Sequence, residues 1–443
     1  MLRPCSADLG PWQSVAQVLA CWHEQGRAEA QQLWVRQGRD AARAEDGELV
    51  GLALELDRRL AGGRGPRLLV DGVWFSRPPG GISRVWEQIL GCWALPGLLT
   101  PEAPVCLIDR DSHLAATARI DSREAPAVDP LDIDAVAALE SNNLSHAAAW
   151  GADVFLSSWI STCARAGAAV IPELAFVHDC MPERSTVPEP LARQRRRWLL
   201  GSSAQLAVSA ATAQDLEGLL KRKPASVRWC HSAPDPVFSQ TVASSAADRL
   251  WRALQRKAGL KSPFVLLPGT SVMGSYKNPE LLAAAMVAIP ELQLVISGVG
   301  ADDYRAQLVQ AFAGIAERTV AVGFTELELA LAYRHALAVV LPSRVEGFGL
   351  PAVEALAAGG RLIVADARGL REAAAEAGLR VPVDQPRQLE ALLRLLLDQQ
   401  ARAWLDPVLE RRRLQRLQRC SPDLIGLALL AEARRISASQ PAS

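Results

Sequence analysis

The sequence predicts an α/β protein built from two doubly wound parallel sheets. Short apolar runs of strand length alternate with helical stretches along most of the chain, without the polar alternation of half-exposed strands. Such runs are typical of parallel sheets that are covered by helices on both faces. The pattern stops at a polar, basic stretch and then begins again, which indicates a second domain of the same kind. The length of 443 residues is sufficient for two such domains.

The apolar runs define the elements in order. In the first domain they predict strands at 68–70, 105–108, 154–156, 174–177, 206–209 and 227–230. The stretches between them predict helices at 83–90, 130–139, 191–200 and 211–220. A basic helix is predicted at 249–260. The second domain has predicted strands at 264–267, 292–296, 320–323, 337–341 and 362–365, and helices at 278–288, 303–312, 326–335, 353–358 and 387–398.

Two further segments flank the sheets. Val15, Val18, Leu19 and Trp22 follow helical spacing ahead of a glycine-rich break, which predicts an N-terminal helical extension. The last part of the chain is charged and helical in pattern. The predicted segments are the extension 1–64, a first domain 65–250, a second domain 263–400 and a helical tail 401–443. We expect the two domains to face a cleft at the carboxyl ends of their strands, where such folds bind ligands.

Composition excludes several classes of protein. Lys plus Arg and Asp plus Glu are 48 each, so bulk positive charge provides no attraction for nucleic acid or an anionic bilayer. The first ten residues carry Arg3 without a following apolar segment, which predicts no signal peptide, and no apolar run is long enough to span a membrane. The eight cysteines form no Cys-x-x-Cys pair. We therefore expect reduced thiols, no structural zinc and a cytoplasmic protein.

The stretch from Pro342 to Ala355 is the most informative in the chain. It follows an apolar strand, turns at Gly347 and Gly349, and enters a helix at a proline. Free backbone amides at such a glycine turn form an anion site suited to a diphosphate. Glu346 and Glu354 stand on either side of the turn, where their carboxylates are suited to accept hydrogen bonds from sugar hydroxyls. In the alternative interpretation, Glu354 only complements the helix dipole and Glu346 is only hydrated.

This stretch resembles the Glu-x7-Glu motif of retaining nucleotide-sugar glycosyltransferases of the GT-B fold, family 4 in the usual classification. The resemblance continues on both sides of the motif in the same order as in the family, with two glycine turns, a Lys-Asn helix start and the segments that flank the two glutamates. The matching segments are 264–270, Lys277–Asn278, 294–300, 323–333 and 370–372. This continuity favours the functional interpretation of the two glutamates.

The resemblance assigns roles to individual residues. The donor-binding residues that it implies are Gly81, Lys277, Gly347, Phe348, Gly349, Leu350 and Glu354, and the catalytic residues are His178 and Glu346. Lys277 and the glycine-loop amides would stabilise the leaving diphosphate. Glu346 and His178 would bind hydroxyls of the donor sugar, and Glu354 those of the ribose. In retaining members the phosphate is thought to help remove the acceptor proton, so no side-chain base is assigned.

The first domain matches the family more loosely. Val70–Gly72 and then Gly80–Arg84 resemble its first strand and the glycine loop that opens the first helix. Phe176–Asp179 resembles its His-Asp at a strand end, and Ala207–Ser209 with Asp215 resembles its Val-Ser turn and helix. Taken alone, the two glycines form an ordinary loop and the histidine is a structural one.

The chain departs from the family in three places. Tyr276 stands where an Arg usually precedes the Lys-Asn pair, and the loop 269–277 is longer than the common version. The departures weaken the predicted diphosphate site unless another arginine contributes, for which Arg84 and Arg368 are candidates. Arg361 replaces a usual proline, and we interpret that change as neutral.

Competing motifs are less complete. Gly269–Gly274 begins like a P-loop but lacks the Lys-Ser/Thr that must follow, and Gly298–Gly300 lacks the third glycine of a dinucleotide fingerprint. Asp132 and Asp134 have the Asp-x-Asp form of metal-dependent transferases, yet they stand at a predicted helix start, where Asp is a common cap. We expect neither metal nor cofactor.

A cluster of arginines, 193 and 195–197, precedes Trp198. It is either a membrane-surface patch, as for enzymes with lipid-linked acceptors, or a solvated basic helix face.

The prediction is a metal-independent retaining glycosyltransferase. It would transfer a mannose-like or glucose-like hexose from a nucleotide diphosphate sugar to a polysaccharide or lipid-linked glycan, in the cytoplasm or peripherally at the inner membrane face. By the resemblance, domain 65–250 holds the acceptor, domain 263–400 holds the donor, and the tail returns to the first domain. Two alternatives stay open: another GT-B enzyme such as a nucleotide-sugar epimerase, or a catalytically silent glycan-binding protein.

Overall fold

The computed structural model describes residues 11–438 except 42–45, 64, 79, 96–97, 100–103, 164–170, 186, 241–244 and 270–274. By internal contacts the chain divides into two compact units. The first unit takes the chain up to Ser232 and again from Ser421 onward, and the second unit is Ala233–Cys420. The division therefore falls before the predicted boundary at 250, and the predicted tail 401–443 is shared between the units. The first ten residues, on which the signal-peptide prediction depends, lie outside the described residues.

The elements follow one another in alternation. The strands are β1 Leu68–Asp71, β2 Val105–Asp109, β3 Asp121–Glu124, β4 Val154–Ser157, β5 Glu173–Val177, β6 Ala204–Ala207, β7 Arg228–Trp229, β8 Phe264–Pro268, β9 Gln293–Ser297, β10 Thr319–Val322, β11 Ala338–Leu341, β12 Leu362–Ala365 and β13 Leu379–Val381. The helices are α1 Pro11–Gln25, α2 Arg27–Ala41, α3 Gly47–Leu60, α4 Gly81–Trp93, α5 Ile133–Ala138, α6 Glu140–Trp150, α7 Met181–Arg184, α8 Glu189–Gly201, α9 Ala210–Leu219, α10 Val237–Gln240, α11 Ser245–Ala258, α12 Pro279–Val287, α13 Ala301–Ala311, α14 Glu326–His335, α15 Leu350–Ala357, α16 Arg368–Ala374, α17 Pro386–Leu397, α18 Gln399–Leu417 and α19 Pro422–Ala438. Short 3-10 helices cover Ala115–Arg119, Ala313–Arg318 and Ala375–Ala377.

The first unit contains a seven-stranded parallel sheet in the order β3-β2-β1-β4-β5-β6-β7. β1 and β4 are buried along their whole length, as continuous apolar strands should be in such a sheet. β3 was not predicted from the sequence, because it lies at the sheet edge and its residues, Asp121–Glu124, are polar and mostly exposed. An edge strand of this kind has no apolar run to reveal it.

The second unit contains a six-stranded parallel sheet in the order β10-β9-β8-β11-β12-β13. β8, β9, β11 and β12 are wholly buried between helices. The predicted α/β class with two doubly wound sheets is therefore confirmed. β13 was missed because it has only three residues, of which one is buried.

Three helices, α1 to α3, form the N-terminal extension. Val15, Val18, Leu19 and Trp22 are at most 2% exposed, so the predicted apolar face of α1 is its buried face. Asp46 caps α3, and its side chain accepts hydrogen bonds from the amides of the second and third following residues. The extension packs within the first unit, where α3 lies against α19.

α18 counts with the second unit, and only α19 returns to the first. Arg361, which we expected to be neutral, makes a bidentate ion pair with Asp406 of α18, with both N···O distances 2.7 Å. The arginine in place of the usual proline thus attaches α18 to the start of β12.

No helix among the described residues is long and apolar enough to span a membrane. Seven of the eight cysteines fall within the described part of the chain, and all seven are free thiols.

Candidate active site

The loops after β8 and β11 meet at the point where the second sheet reverses its strand order. The chain runs outward from β8 through β9 to β10 and then returns to place β11 beside β8. In doubly wound sheets the ligand crevice lies outside the carboxyl ends of the two strands at such a switch point. Lys277 comes from the loop after β8 and Glu346 from the loop after β11. Both line a pocket at this edge, together with Tyr304, Ser343 and Gly349.

Lys277 and Glu346 form an ion pair across this switch point. Lys277 Nζ donates to Glu346 Oε1 at 2.7 Å, with 29% and 18% of the two side chains exposed. Burial lowers the pKa of Lys277, but the charge and hydrogen bond of Glu346, together with Tyr276, more than offset that effect, so the pKa lies above its usual value. The ammonium therefore stays charged at neutral pH.

Asn278 holds the two loops together. It adopts a left-handed conformation, with φ 51°, immediately before α12. Its side-chain amide donates to the carbonyl oxygens of Pro342 and Val383 at 3.0 and 2.9 Å. Asn tolerates this backbone region better than most residues, and its amide supplies two donors. In the Lys-Asn pair, Lys277 therefore places a positive charge in the pocket, and Asn278 links the surrounding loops through its hydrogen bonds.

Arg344 is the arginine that sequence analysis did not identify as a neighbour of the Lys-Asn pair. Its guanidinium donates to Asn278 Oδ1 at 3.0 Å and pairs with Asp384, and its backbone amide donates to the carbonyl of Tyr276 at 2.7 Å. The two arginines that the sequence suggests for this role are Arg84 and Arg368. Arg84 lies on α4 in the first unit, and Arg368 is exposed at the start of α16. The sequence could have suggested Arg344, because it stands two residues before Glu346 in the same loop.

The glycine turn leads into α15, but the helix begins one residue before the proline at which we expected it to begin. Gly349 has φ 102° at the N-cap, and Leu350 is the first helical residue. The Phe348 side chain points inward, 3% exposed, with the Arg416 guanidinium 5.6 Å from its ring centre. Gly347 is half-buried. Any contact of Phe348 with a ligand must therefore come from its backbone.

Gly369 lies directly against the backbone of this loop. A Cβ placed there would be 2.2 Å from the carbonyl oxygen of Glu346 and 3.0 Å from that of Gly347. The first turn of α16 thus sets the position of the Glu346 peptide, which the sequence motif gave no reason to expect.

We expect Gly369→Ala to displace the Glu346–Gly347 peptide and to lower stability by about 1–3 kcal/mol through overpacking. Donor binding should weaken with it, as measured by calorimetric titration with a nucleotide diphosphate. Gly323→Ala is the matched control, because a Cβ at Gly323 would meet no atom within 4 Å. Equal behaviour of the two variants would contradict this role for Gly369.

Glu354 lies behind the turn in the same unit. It is 1% exposed on α15 and accepts a hydrogen bond from the hydroxyl of Tyr333 at 3.4 Å. The interpretation that Glu354 only complements the helix dipole does not fit this position, because Glu354 lies beyond the first turn of α15. The structure brings Lys277, Glu346 and Gly349 together at the pocket and places the Glu354 side chain in the adjoining interior.

His178 and Gly81 lie in the first unit. His178 directly follows β5, and its Nε2 is buried without a hydrogen-bond partner among the described residues. Burial, and secondarily the charge of Arg195, lowers the pKa of His178 to about 3, so the ring is neutral at pH 7. Gly81 is the exposed first residue of α4, with open space where a Cβ would stand.

A buried polar cluster occupies the switch point of the first sheet, between β1 and β4. Asp71 accepts from Arg110 Nε at 2.6 Å, from Asn143 at 3.3 Å and from the Ser161 hydroxyl. Arg110 also donates to Asn142 and Asn143 at 2.8 Å. Asp71, Arg110, Asn143 and Ser161 are all 0% exposed. In this unit, therefore, charged side chains fill the position equivalent to the ligand crevice.

The structure explains those parts of the competing motifs that lie within the described residues. Asp132 caps α5 by accepting from the amide of Ala135, as predicted. Gly300 precedes α13 with φ 77°. Most of the P-loop-like stretch, 270–274, lies outside the described residues. Over the described part of the chain, no three His, Cys, Asp or Glu side chains cluster as metal ligands.

The chain is similar in sequence to a known family and to curated proteins. Residues 255–412 match the family described as "Glycosyl transferases group 1". The D-inositol 3-phosphate glycosyltransferase of Xylanimonas cellulosilytica is 31% identical over 214 residues, which cover 45% of this chain and 49% of that protein. The chain thus spans about half the length of the curated relatives that it matches.

Solved structures share the fold at low identity. HepE of Anabaena, in complex with UDP-glucose, matches with a TM-score of 0.60 and 16% identity over 83% of this chain and 98% of that one. A glycosyltransferase from Rickettsia africae matches with a TM-score of 0.62 and 14% identity over 85% of this chain and all of that one. The chain therefore has the GT-B fold, and its residues 255–412 are similar to the glycosyl transferases of group 1.

Proposed function

We propose that the chain is a nucleotide-sugar glycosyltransferase that transfers a hexose to a polysaccharide or lipid-linked glycan with retention at the anomeric carbon. The observation that carries the proposal is the Lys277–Glu346 pair at the switch point of a sheet in a group 1 glycosyltransferase domain. A cation and a carboxylate at this edge match the two ends of a sugar diphosphate. The cation suits the phosphates and the carboxylate suits the sugar hydroxyls.

Breaking the glycosyl–phosphate bond places negative charge on the diphosphate and positive charge on the sugar ring. The Lys277 ammonium has three N–H donors, so it can hold Glu346 and still donate to a phosphate oxygen. The amides of Gly81 and of residues 347–350 are the proposed backbone donors to the diphosphate. No side-chain base is required if the departing phosphate accepts the acceptor's proton.

The remaining groups contribute to orientation. A neutral His178 with a buried, unpartnered Nε2 is suited to a hydrogen bond with a sugar hydroxyl. Glu354 is the proposed partner of the ribose hydroxyls. We propose that the chain acts without a metal or cofactor, in the cytoplasm and peripherally at the inner membrane face.

The test is a nucleotide-binding and nucleotide-release screen. The donor panel includes UDP-glucose, because HepE binds it, and the acceptors include inositol 3-phosphate, because the curated relatives are named for it. We expect Glu354→Ala to weaken nucleotide affinity about tenfold or more, and His178→Ala mainly to lower turnover. Turnover that needs no acceptor would favour an epimerase. Binding of glycans without donor binding or turnover would favour a silent glycan-binding protein.

A further inference from the structure

The arginine cluster at 193–197 does not form the membrane-surface patch that was one interpretation of the sequence. Trp198, which would anchor such a patch, is 3% exposed. Arg195 is buried in an ion pair with Glu183, and Arg193 and Arg197 pair with Glu189 and Glu140. Trp198 and Leu199 of α8 therefore face the core, and most of the positive charge of the helix is compensated.

A different helix, α18, exposes apolar and basic side chains together. Trp404 is 83% exposed, Leu414 52% and Val408 44%. Their spacing places them on one side of the helix with Arg411. Arg412 on the helix and Arg419, just past its end, are exposed beside them. We call these six residues the α18 face.

The opposite side of α18 holds the helix in place. Leu409 is buried, Arg413 donates to the carbonyl of Leu356 at 3.0 Å, and buried Arg416 donates to the carbonyl of Ala373 at 2.9 Å. The α18 face is therefore on the outer side of an anchored helix, and Trp404 does not pack into the core of the second unit.

The charge of the α18 segment indicates what kind of surface the α18 face could bind. From Gln399 to Arg419 the chain has six arginines and two acidic residues, in a protein whose overall charge is zero. Both acids are paired internally, Asp406 with Arg361 and Glu410 with Arg413. The exposed face is thus apolar and positively charged. Tryptophan favours the headgroup level of a bilayer, and arginine favours anionic lipid.

We propose that the α18 face is a docking surface for an anionic lipid bilayer, on which the helix lies flat with Trp404 in the headgroup region. This inference rests on the peripheral membrane contact in the proposed function and names the surface that would make it. Vesicle binding tests it separately from glycosyl transfer, because binding requires no turnover.

Flotation with vesicles tests the proposal. We expect the full chain to bind phosphatidylcholine vesicles that contain phosphatidylglycerol, less at high salt, and not to bind phosphatidylcholine alone. Trp404→Ser and the double variant Arg411→Glu/Arg412→Glu should each lower the vesicle partition coefficient by about tenfold or more, because they remove the interfacial anchor or reverse the attraction. Arg193→Glu/Arg196→Glu is the matched control on α8 and should bind as the unchanged chain does. Thermal unfolding of each variant checks that it is folded.

Three results would overturn the proposal. The full chain could fail to bind anionic vesicles, or the α8 variant could lose binding as strongly as the α18 variants. Sedimentation could also show a dimer that Trp404→Ser converts to a monomer without any vesicle binding, in which case the α18 face is an interface between two copies.

Discussion

Lys277→Met is expected to lower kcat/KM for the nucleotide sugar by about 10²–10³-fold, the usual cost of removing one donor to a developing negative charge. Two functions are lost together, because the ammonium both faces the proposed diphosphate position and holds Glu346 at 2.7 Å. Donor affinity should fall with turnover. Nucleotide release under steady-state conditions and calorimetric titration with the nucleotide diphosphate measure the two effects separately.

A double-mutant cycle with Glu346→Gln makes this prediction sharper. If the two side chains act as a unit, the double variant costs little more than Lys277→Met alone. Lys261→Met is the matched control, since Lys261 is an exposed lysine of the same unit. Unchanged affinity and rate in Lys277→Met would show that the diphosphate does not bind at this switch point. Additive losses would show that the ion pair does not couple the two residues.

Arg110→Met is expected to lower the free energy of unfolding of the first unit by about 3–5 kcal/mol, because it leaves the Asp71 carboxylate buried without its cation. Asp71 and Arg110 are both 0% exposed. Apart from their ion pair, Asp71 accepts hydrogen bonds from neutral side chains, and Arg110 donates to asparagine side chains and a backbone carbonyl. Urea unfolding followed by tryptophan fluorescence measures the effect. All tryptophans except Trp251 and Trp404 lie in the first unit, so the signal reports mainly on that unit.

The double variant Asp71→Leu/Arg110→Met separates the charge from the packing. Replacing both partners with apolar residues removes the uncompensated charge, and much of the lost stability should return. Arg193→Met, which breaks an exposed pair with Glu189, should leave the transition nearly unchanged. A loss from Arg110→Met no larger than that from Arg193→Met would contradict the role assigned to the buried cluster.

Local sequence was sufficient to predict the fold class and most elements. The wholly buried strands β8, β9, β11 and β12 appear as continuous apolar runs, because a strand covered on both faces has no polar positions. The glycine turn before α15 was readable for a similar reason, since the backbone conformation of Gly349 restricts the residue that can stand there. The polar edge strand β3 was not readable, because pairing with β2 rather than burial makes it a strand.

The sequence by itself therefore determined two doubly wound sheets and the residues that surround the glycine turn, because burial and backbone conformation restrict residue type at each position. Only the tertiary structure decided which side chains meet. It paired Lys277 with Glu346, brought Arg344 to Asn278, pressed Gly369 against the Glu346 carbonyl and turned Trp198 inward while leaving Trp404 exposed. These relations join residues far apart in the chain or depend on what packs against a helix. No local pattern encodes them, because they arise only when the strands are set side by side.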